Sequence, residues 1–100
     1  MVRVGLLVRL RAKAGKEAEV ARFLEGALPA AQAETQTRVW FAIRLGETEF
    51  GIFDAFHDDA GRQAHLGGPI AAALMKRASE LLAEPPRIER VDVLAAKTTG

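Results

Sequence analysis

The chain has no cysteine, no tyrosine and no asparagine, and its single serine is Ser79. Because cysteine is absent, the sequence excludes disulfides, thiolate nucleophiles and zinc–thiolate sites, and a reducing cytoplasm is the expected compartment. Ser79 lies inside a predicted helix with no glycine-rich turn before it, which disfavours acyl transfer by a Ser-His-Asp triad. The nucleophiles present therefore offer little for covalent catalysis.

Long hydrophobic runs and an excess of one charge are also missing. No apolar segment approaches the ~20 residues of a membrane span. Arg3 and Arg9 interrupt the apolar N-terminal stretch, so we expect neither a membrane partner nor a signal peptide. The net charge of +1 does not favour nucleic acid. The aromatic segment 50–56 is superficially similar to the third strand of an RNA-recognition domain. It follows Thr48-Glu49 rather than Lys/Arg-Gly, however, and the first strand has no aromatic residue, so no nucleic-acid partner is expected.

The sequence does contain the pattern of one small α+β domain over residues 1–100. Alternating apolar residues predict strands, and apolar stripes at helical spacing predict helices between them. The predicted strands are Val2–Leu10, Thr37–Leu45, Phe50–His57 and Arg87–Ala95. Their order with the helices is β-α-β-β-α-β, a ferredoxin-like arrangement with a four-stranded antiparallel sheet. The third strand is apolar on both sides, which predicts a central position.

Charge, proline and glycine mark the ends of the helices. Glu17 suits the start of the first helix, and Pro29 predicts a kink or an end because it lacks a backbone N–H. A short helix is expected to run to Leu66. A longer one is expected to begin at Pro69 and to end before Pro85-Pro86.

Helices on one side can cover only one face of the sheet. The covered face is predicted to carry the apolar set Val2, Val4, Leu6, Val8 and Leu10. The uncovered face is predicted to carry Leu7, Arg9, Arg38, Trp40 and Arg44. Because this second set is too apolar for a solvated surface and too charged for a core, it indicates an interface or a ligand pocket.

Two histidines are candidates for chemistry. A neutral His65 on the short helix accepts or gives a proton near neutral pH, or hydrogen-bonds a ligand hydroxyl. The alternative is a histidine that packs and caps its helix. A metal set of His57, His65, Asp54 and Asp58 has suitable ligand types, but its spacing matches no standard motif, so no metal is expected. Gly67-Gly68 predicts a helix break rather than an anion site.

Trp40 lies between Arg38 and Arg44 and has two interpretations. In the first it is a ligand platform, with Arg44 or Arg9 stabilising a developing phenolate or enolate. In the second it anchors a dimer, since Trp and Arg are enriched at the energetic centres of interfaces. Both interpretations stay open, because one residue serves both roles if a partner subunit closes the pocket.

Several short motifs occupy the second half of the chain and one turn near its beginning. They are Asp54-Ala55-Phe56-His57-Asp58-Asp59-Ala60, Ala64-His65-Leu66, Gly68-Pro69 and Ala14-Gly15-Lys16-Glu17. Together they resemble the antibiotic biosynthesis monooxygenase family over nearly the whole chain. The resemblance implies a dimeric α+β barrel, in which two sheets pack with their uncovered faces together. It also implies, for some members, oxidation of phenols or quinols by molecular oxygen without metal or flavin.

By this resemblance His65 corresponds to the family's helix histidine, and it is the predicted catalytic residue, as proton acceptor or ligand orienter. The predicted substrate-binding residues are Trp40, Arg44, Phe53, Asp54 and Phe56. Positioning roles of Tyr or Asn cannot be transferred, and Ile70 stands where many relatives have a second histidine. Haem degradation is disfavoured, because neither histidine has the context of a haem ligand.

Two hypotheses about function follow. The first is a homodimeric monooxygenase that needs no cofactor and acts on a small phenol or quinol. Its partners would be a second copy of the chain, a small aromatic molecule and molecular oxygen. The second hypothesis is a non-catalytic domain of the same fold that binds a small ligand or serves as a dimeric interaction module.

Overall fold

A computed structural model describes residues 1–99 of the chain. It contains four strands and four helices within that range. In chain order they are β1 (Val4–Arg11), α1 (Glu17–Gly26), α2 (Leu28–Ala33), β2 (Val39–Arg44), β3 (Glu49–Phe56), α3 (Asp59–Leu66), α4 (Pro69–Leu81) and β4 (Arg87–Asp92).

The strands form one antiparallel sheet in the order β2-β3-β1-β4. The predicted α+β fold, its element order and the central position of β3 are therefore confirmed. Strand β4 ends at Asp92 rather than at Ala95. The reason is that its last pairing partner is Val4, the first residue of β1, and only the Val93 amide continues, to the Arg3 carbonyl at 2.9 Å.

Local signals set the helix boundaries. The predicted interruption near Pro29 is a break at Ala27, after which Pro29 occupies the first turn of α2, where its missing N–H costs nothing. Asp58 caps α3 by accepting a hydrogen bond from the Gly61 amide at 3.0 Å. Pro69 opens α4 in the same way that Pro29 opens α2. These ends fix where α3, the helix that carries His65, lies on the sheet.

The core lies between the sheet and the helices. Its members are buried side chains of both layers, and they include Val8, Leu10, Val20, Leu24, Phe50, Ile52, Leu74 and Leu81. The predicted covered set of β1 is confirmed, since Leu6, Val8 and Leu10 are at most 7% exposed. No helix within residues 1–99 is long and apolar enough to cross a membrane.

The predicted orientation of β2 is wrong. Trp40 is the cross-strand partner of Asp54, and Asp54 is the partner of Leu6 on β1. Cross-strand partners point to the same side of a sheet, so Trp40 lies on the helix-covered side and packs against the core. Arg44, four residues further along β2, shares that side. The uncovered face of the sheet therefore lacks Trp40 and Arg44, two of the side chains that the sequence assigned to it.

The free face, as defined by the structure, is the side of the sheet without helices. It carries the apolar side chains Leu7, Val39, Phe41, Ile43, Leu45 and Phe53. Phe41 is 57% exposed, Leu45 46% and Ile43 39%. This surface is more apolar than the sequence predicted, because the β2 side chains assigned to the core lie on it instead.

Candidate functional site

A cavity of about 260 Å³ lies where the segment after α2 passes over α3. Its walls are formed by Ala33, Glu34, Thr35, Gln36, Thr37, Gly61, Ala64 and His65. Among the described residues, none that lines it is aromatic. The predicted aromatic substrate-binding residues Trp40, Phe53 and Phe56 are thus not among the residues that line this cavity.

His65 is held between two carboxylates from different parts of the fold. Its Nδ1 lies 2.6 Å from Glu34 Oε1, and its Nε2 lies 2.9 Å from Asp54 Oδ2. The Nε2–Oδ2 contact lacks the alignment of a hydrogen bond, so both oxygens of Asp54 are without a hydrogen-bond partner within residues 1–99. It is a close charge contact instead. Glu34 Oε1 also accepts a hydrogen bond from the Thr37 hydroxyl at 2.6 Å.

These contacts determine the protonation of His65. Burial by itself lowers the pKa of an imidazole, because it disfavours the charged form. Here the contacts and charges of Asp54 and Glu34 outweigh burial and raise the pKa of His65 to about 9. The side chain is therefore an imidazolium at neutral pH, with Nδ1–H donating to Glu34 and Nε2 in close charge contact with Asp54. The predicted role of proton acceptor does not fit this state.

Four buried polar atoms near the site have no hydrogen-bond partner in the described part of the chain. They are Glu34 Oε2, Trp40 Nε1, Asp54 Oδ1 and Asp54 Oδ2. An unsatisfied buried polar group costs roughly 1–3 kcal/mol, and such groups are rare enough to need an explanation. Three of the four are oxygens of the carboxylates that contact His65, and each has almost no accessible surface.

Glycines bring α3 and the turn after it close to this site. A Cβ on Gly68 would lie 3.3 Å from Glu34 Oε2 and 3.2 Å from the His65 carbonyl oxygen. A Cβ on Gly61 would lie 3.3 Å from Gln36 Oε1 and 3.4 Å from the Cβ of Phe56. Both positions are therefore too close to their neighbours for a side chain without displacement.

The structure brings some of the predicted site residues together. Asp54 and Phe56 are completely buried beside His65, and the Phe56 and His65 rings lie 5.5 Å apart. Trp40 is the cross-strand neighbour of Asp54 on the same side of the sheet. Asp54 and Phe56 thus meet His65 where α3 lies on β3, and Trp40 adjoins Asp54 on the neighbouring strand.

The other two predicted residues lie elsewhere. The Arg44 guanidinium lies 4.6 Å from the centre of the Phe50 ring and donates to the Glu47 carbonyl, so it serves the β2–β3 hairpin. Phe53 lies on the free face, in a groove of about 600 Å³ that also has Val39 and Phe41 in its walls. Neither residue lines the cavity beside His65.

Sequence reasoning missed Glu34 and Thr37. Glu34 is the C-cap of α2 and is 31 residues from His65 along the chain. No motif marks Glu34. The one signal in the sequence is that an acidic residue stands at the C-terminal end of a helix, where the helix dipole disfavours negative charge.

The metal and anion sites that the sequence disfavoured gain no support from the described residues. Within residues 1–99, no three His, Asp or Glu side chains are grouped so as to hold a metal ion. His57 contacts the Met1 amine and carbonyl instead. The Gly67 and Gly68 amides donate to the carbonyls of Gln63 and His65 at 3.0 Å, so neither is free to bind an anion.

Comparison with known proteins finds relatives among solved structures. No protein-family model matches the sequence, and no curated protein matches it. A protein of unknown function from Nitrosomonas europaea is 57% identical, covers 100% of this chain and 97% of its own, and superposes with a TM-score of 0.98. A candidate antibiotic biosynthesis monooxygenase from the same organism is 14% identical over 92% of this chain and 99% of its own, and it superposes with a TM-score of 0.82.

Another candidate antibiotic biosynthesis monooxygenase, from Deinococcus radiodurans, is 17% identical over 97% of this chain and 98% of its own, with a TM-score of 0.81. At these low identities the likeness is one of fold. At that level, the resemblance identified from the sequence is confirmed.

Proposed function

We propose that this chain is a monooxygenase that needs no cofactor and acts on a small phenol or quinol. The premise is that the chain belongs to the same family as the Nitrosomonas europaea protein of unknown function. It also has the fold of the candidate antibiotic biosynthesis monooxygenases. The observation that carries the proposal is His65, held between Asp54 and Glu34 at the wall of a cavity. The proposed setting is the cytoplasm, on the cysteine-free composition.

The size and the charge of the cavity support a small aromatic substrate. An engineered cavity of about 150 Å³ holds benzene, so a volume of about 260 Å³ accommodates one ring with its substituents. In this proposal Glu34, whose carboxylate belongs to the wall of the cavity, takes the proton of a ring hydroxyl. Loss of that proton makes the ring a better electron donor to oxygen.

The reaction balances without a cofactor. A phenol and one molecule of oxygen give a quinone and one molecule of water. One oxygen atom becomes the new quinone carbonyl, the other leaves as water, and the phenol supplies all four electrons. In this scheme Glu34 receives the hydroxyl proton. The His65 imidazolium lines the cavity and keeps the Glu34 carboxylate in place.

Oxygen consumption tests the proposal. Purified protein is incubated with a panel of phenols and quinols in an oxygen-electrode cell, and uptake without protein is subtracted because quinols oxidise spontaneously. We expect uptake with at least one substrate, a labelled oxygen atom in the quinone when isotopically labelled oxygen is used, and loss of both in His65→Ala. Equal uptake by wild type and His65→Ala across the panel would contradict the positioning role proposed for His65.

A second candidate function is a non-catalytic dimeric module, favoured by the exposed apolar side chains of the free face. Phe41, Ile43 and Leu45 together form a surface that a monomer would leave in water. Contiguous apolar patches of this kind mark interaction sites. We propose that a second copy of the chain covers this face, in both the catalytic and the non-catalytic case.

A further inference from the structure

The segment that joins α2 to β2, residues 34–37, lies on α3 and is tied to it by a single side chain. Glu34 Oε1 accepts a hydrogen bond from His65 Nδ1 at 2.6 Å, and within residues 1–99 no other hydrogen bond joins the segment to α3. The remaining bonds are local: the Thr37 hydroxyl and amide donate to Glu34, and the Glu34 amide donates to the Ala31 carbonyl. The contact between the segment and α3 therefore depends on one polar pair.

The surface of α3 beneath this segment is small and loosely covered. Gly61 and His65 line the cavity of about 260 Å³ that lies between the two. Gln36 lies against Gly61 and Glu34 against Gly68, since a Cβ on either glycine would come within 3.3 Å of the facing side-chain oxygen. Among the described residues, the core cluster has no member from the segment or from α3. Lifting the segment would therefore expose little apolar surface, and its main cost is the polar pair.

The two ends of the segment are the places where it can hinge. Helix α2 ends at Ala33, and the backbone of Glu34 is extended, with φ −80° and ψ 107°. At the other end, the Arg38 amide donates to the Ala55 carbonyl at 3.0 Å, which begins the pairing with β3. Within the described part of the chain, no backbone bond ties the residues between these two points to the sheet or to α3.

The polar pair is an ion pair at neutral pH, because Asp54 and Glu34 raise the pKa of His65 to about 9. We infer that residues 34–37 form a lid, held shut by the ion pair of Glu34 and His65, and that its lifting admits molecules from solvent to His65 and to Asp54 on the other side of the imidazole ring. The closed lid leaves His65 7% exposed and Asp54 completely buried. Charge-assisted hydrogen bonds are strong, so the open lid is the minor state. The lid controls access to the site, whichever reaction or ligand the site serves.

Hydrogen exchange of the ligand-free protein tests the ion pair. Replacing Glu34 by glutamine keeps the size and one carbonyl oxygen but removes the charge. We expect the Thr37 amide, which donates to the carbonyl of residue 34 at 3.3 Å, to exchange at least about tenfold faster in Glu34→Gln than in wild type. The amides of β1 should keep their wild-type rates. The matched control is Glu25→Gln on the exposed side of α1, which should change neither set.

A disulfide locks the lid without altering the ion pair. A Cβ on Gly61 would lie 3.4 Å from the Cβ of Gln36, close to the spacing of about 3.5–4.5 Å between the Cβ atoms of a disulfide. The chain has no cysteine of its own, so the double variant Gln36→Cys/Gly61→Cys has one possible pair, and its reduced form is the control. We expect oxidation to slow exchange of the His65 Nδ1 proton and of the Thr37 amide at least about tenfold, and reduction to restore both.

Each outcome decides for or against the lid. Equal exchange of the Thr37 amide in wild type and Glu34→Gln would show that the ion pair does not hold the segment. Acceleration of the β1 amides by the same factor would mean global unfolding and no lid. If Glu34→Gln does not fold, the disulfide decides: unchanged exchange of the His65 Nδ1 proton on oxidation, or a folded protein in which the disulfide does not form, would overturn the lid. None of these measurements involves oxygen uptake, so a protein inactive on every phenol and quinol would remove the proposed oxygenase and leave the lid standing.

Discussion

His65 Nε2 lies 2.9 Å from Oδ2 of Asp54, a carboxylate with no exposed surface. One partner belongs to the last turn of α3 and the other to β3, one of the two inner strands, so the contact joins a helix to the sheet. Burying a carboxylate is costly unless an opposite charge compensates it. The fold therefore depends on the proton of His65, and the protonation of His65 depends in turn on the fold.

Replacing Asp54 by asparagine should be strongly destabilising and should lower the pKa of His65 from about 9. Removing one partner of a buried charge pair costs about 3 kcal/mol, while Glu34 remains as the second partner of the imidazolium. Urea unfolding measures the loss of stability, and an NMR titration of the His65 ring measures the pKa. An unchanged pKa in a folded Asp54→Asn protein would rule out this charge pair.

The control for Asp54→Asn is Glu80→Gln. Glu80 pairs with Arg77 across 3.2 Å, but its side chain is 53% exposed. Exposed ion pairs contribute little, because water and salt screen them, so the change should stay within about 0.5 kcal/mol. A comparable loss in both variants would mean that carboxylate charge in general, and not burial beside His65, stabilises the chain.

The pH dependence of stability follows from the same histidine. The pKa of His65 rises from 6.5 in the unfolded chain to about 9 in the folded one, because Asp54 and Glu34 face it. The folded state therefore holds the proton more tightly. The proton on His65 contributes about 3 kcal/mol to the free energy of unfolding. This contribution is complete below pH 6.5 and is lost as the pH rises toward 9.

Urea unfolding at several pH values between these two limits measures that decline in wild-type protein. The matched variant is His65→Gln, in which no group titrates at this position. Its free energy of unfolding should be lower at neutral pH and should change less over the same interval. Parallel pH profiles of wild type and His65→Gln would show that His65 is not the titrating group.

The sequence predicts the element order and the core of β1, but it does not determine which side of the sheet β2 presents. Alternation divides β2 into two sets, one with Trp40 and Arg44 and one with Phe41 and Ile43. A pattern of period two says which residues share a side and nothing about which side faces the helices. The more apolar set, with Phe41 and Ile43, was assigned to the core. The pairing of Trp40 with Asp54 shows instead that this apolar set lies on the free face.

The site was half predictable for a related reason. His65 and Asp54 lie within a recognisable motif, 11 residues apart, and were predicted together. Glu34 reaches the same histidine from another part of the chain, at the end of α2. A long-range contact of this kind depends on where the turn after α2 crosses α3, and no local propensity encodes that crossing.

Gly68 should not tolerate a side chain. Its φ of −92° suits any residue, so the conflict is purely steric: a Cβ would lie 3.2–3.3 Å from the carbonyls of His65 and Ala64 and from Glu34 Oε2. Gly68→Ala should cost about 1–2 kcal/mol, as overpacking does. The control is Gly26→Ala at the end of α1, where a Cβ meets nothing within 4 Å.

Gly26→Ala should be neutral or stabilising by up to about 1 kcal/mol, because alanine loses less conformational freedom in a helix than glycine does. Thermal unfolding of both variants in parallel gives the comparison. Equal melting temperatures for Gly68→Ala and wild type would mean that the turn after α3 moves away from Glu34 without cost. The close approach would then play no part in holding the carboxylate.

Dimerisation through the free face is tested by substituting Phe41. Trp40, the dimer anchor considered from the sequence, is not suitable for this test. Trp40 packs on the covered side, so its substitution would disturb the core of each subunit instead of an interface. Phe41→Ser leaves that core intact. If a second copy covers the free face, the loss of this aromatic should cost about 3 kcal/mol of association and convert dimer to monomer at micromolar concentration.

The matched control is Met75→Ser on α4, because Met75 and Phe41 are both 57% exposed while only Phe41 lies on the free face. Sedimentation velocity measures the oligomeric state, and circular dichroism checks folding. We expect a dimer for wild type and Met75→Ser and a monomer for Phe41→Ser. A wild-type monomer would remove the homodimer altogether. A Phe41→Ser dimer would move the interface off the free face, and the exposed apolar side chains there would need another partner.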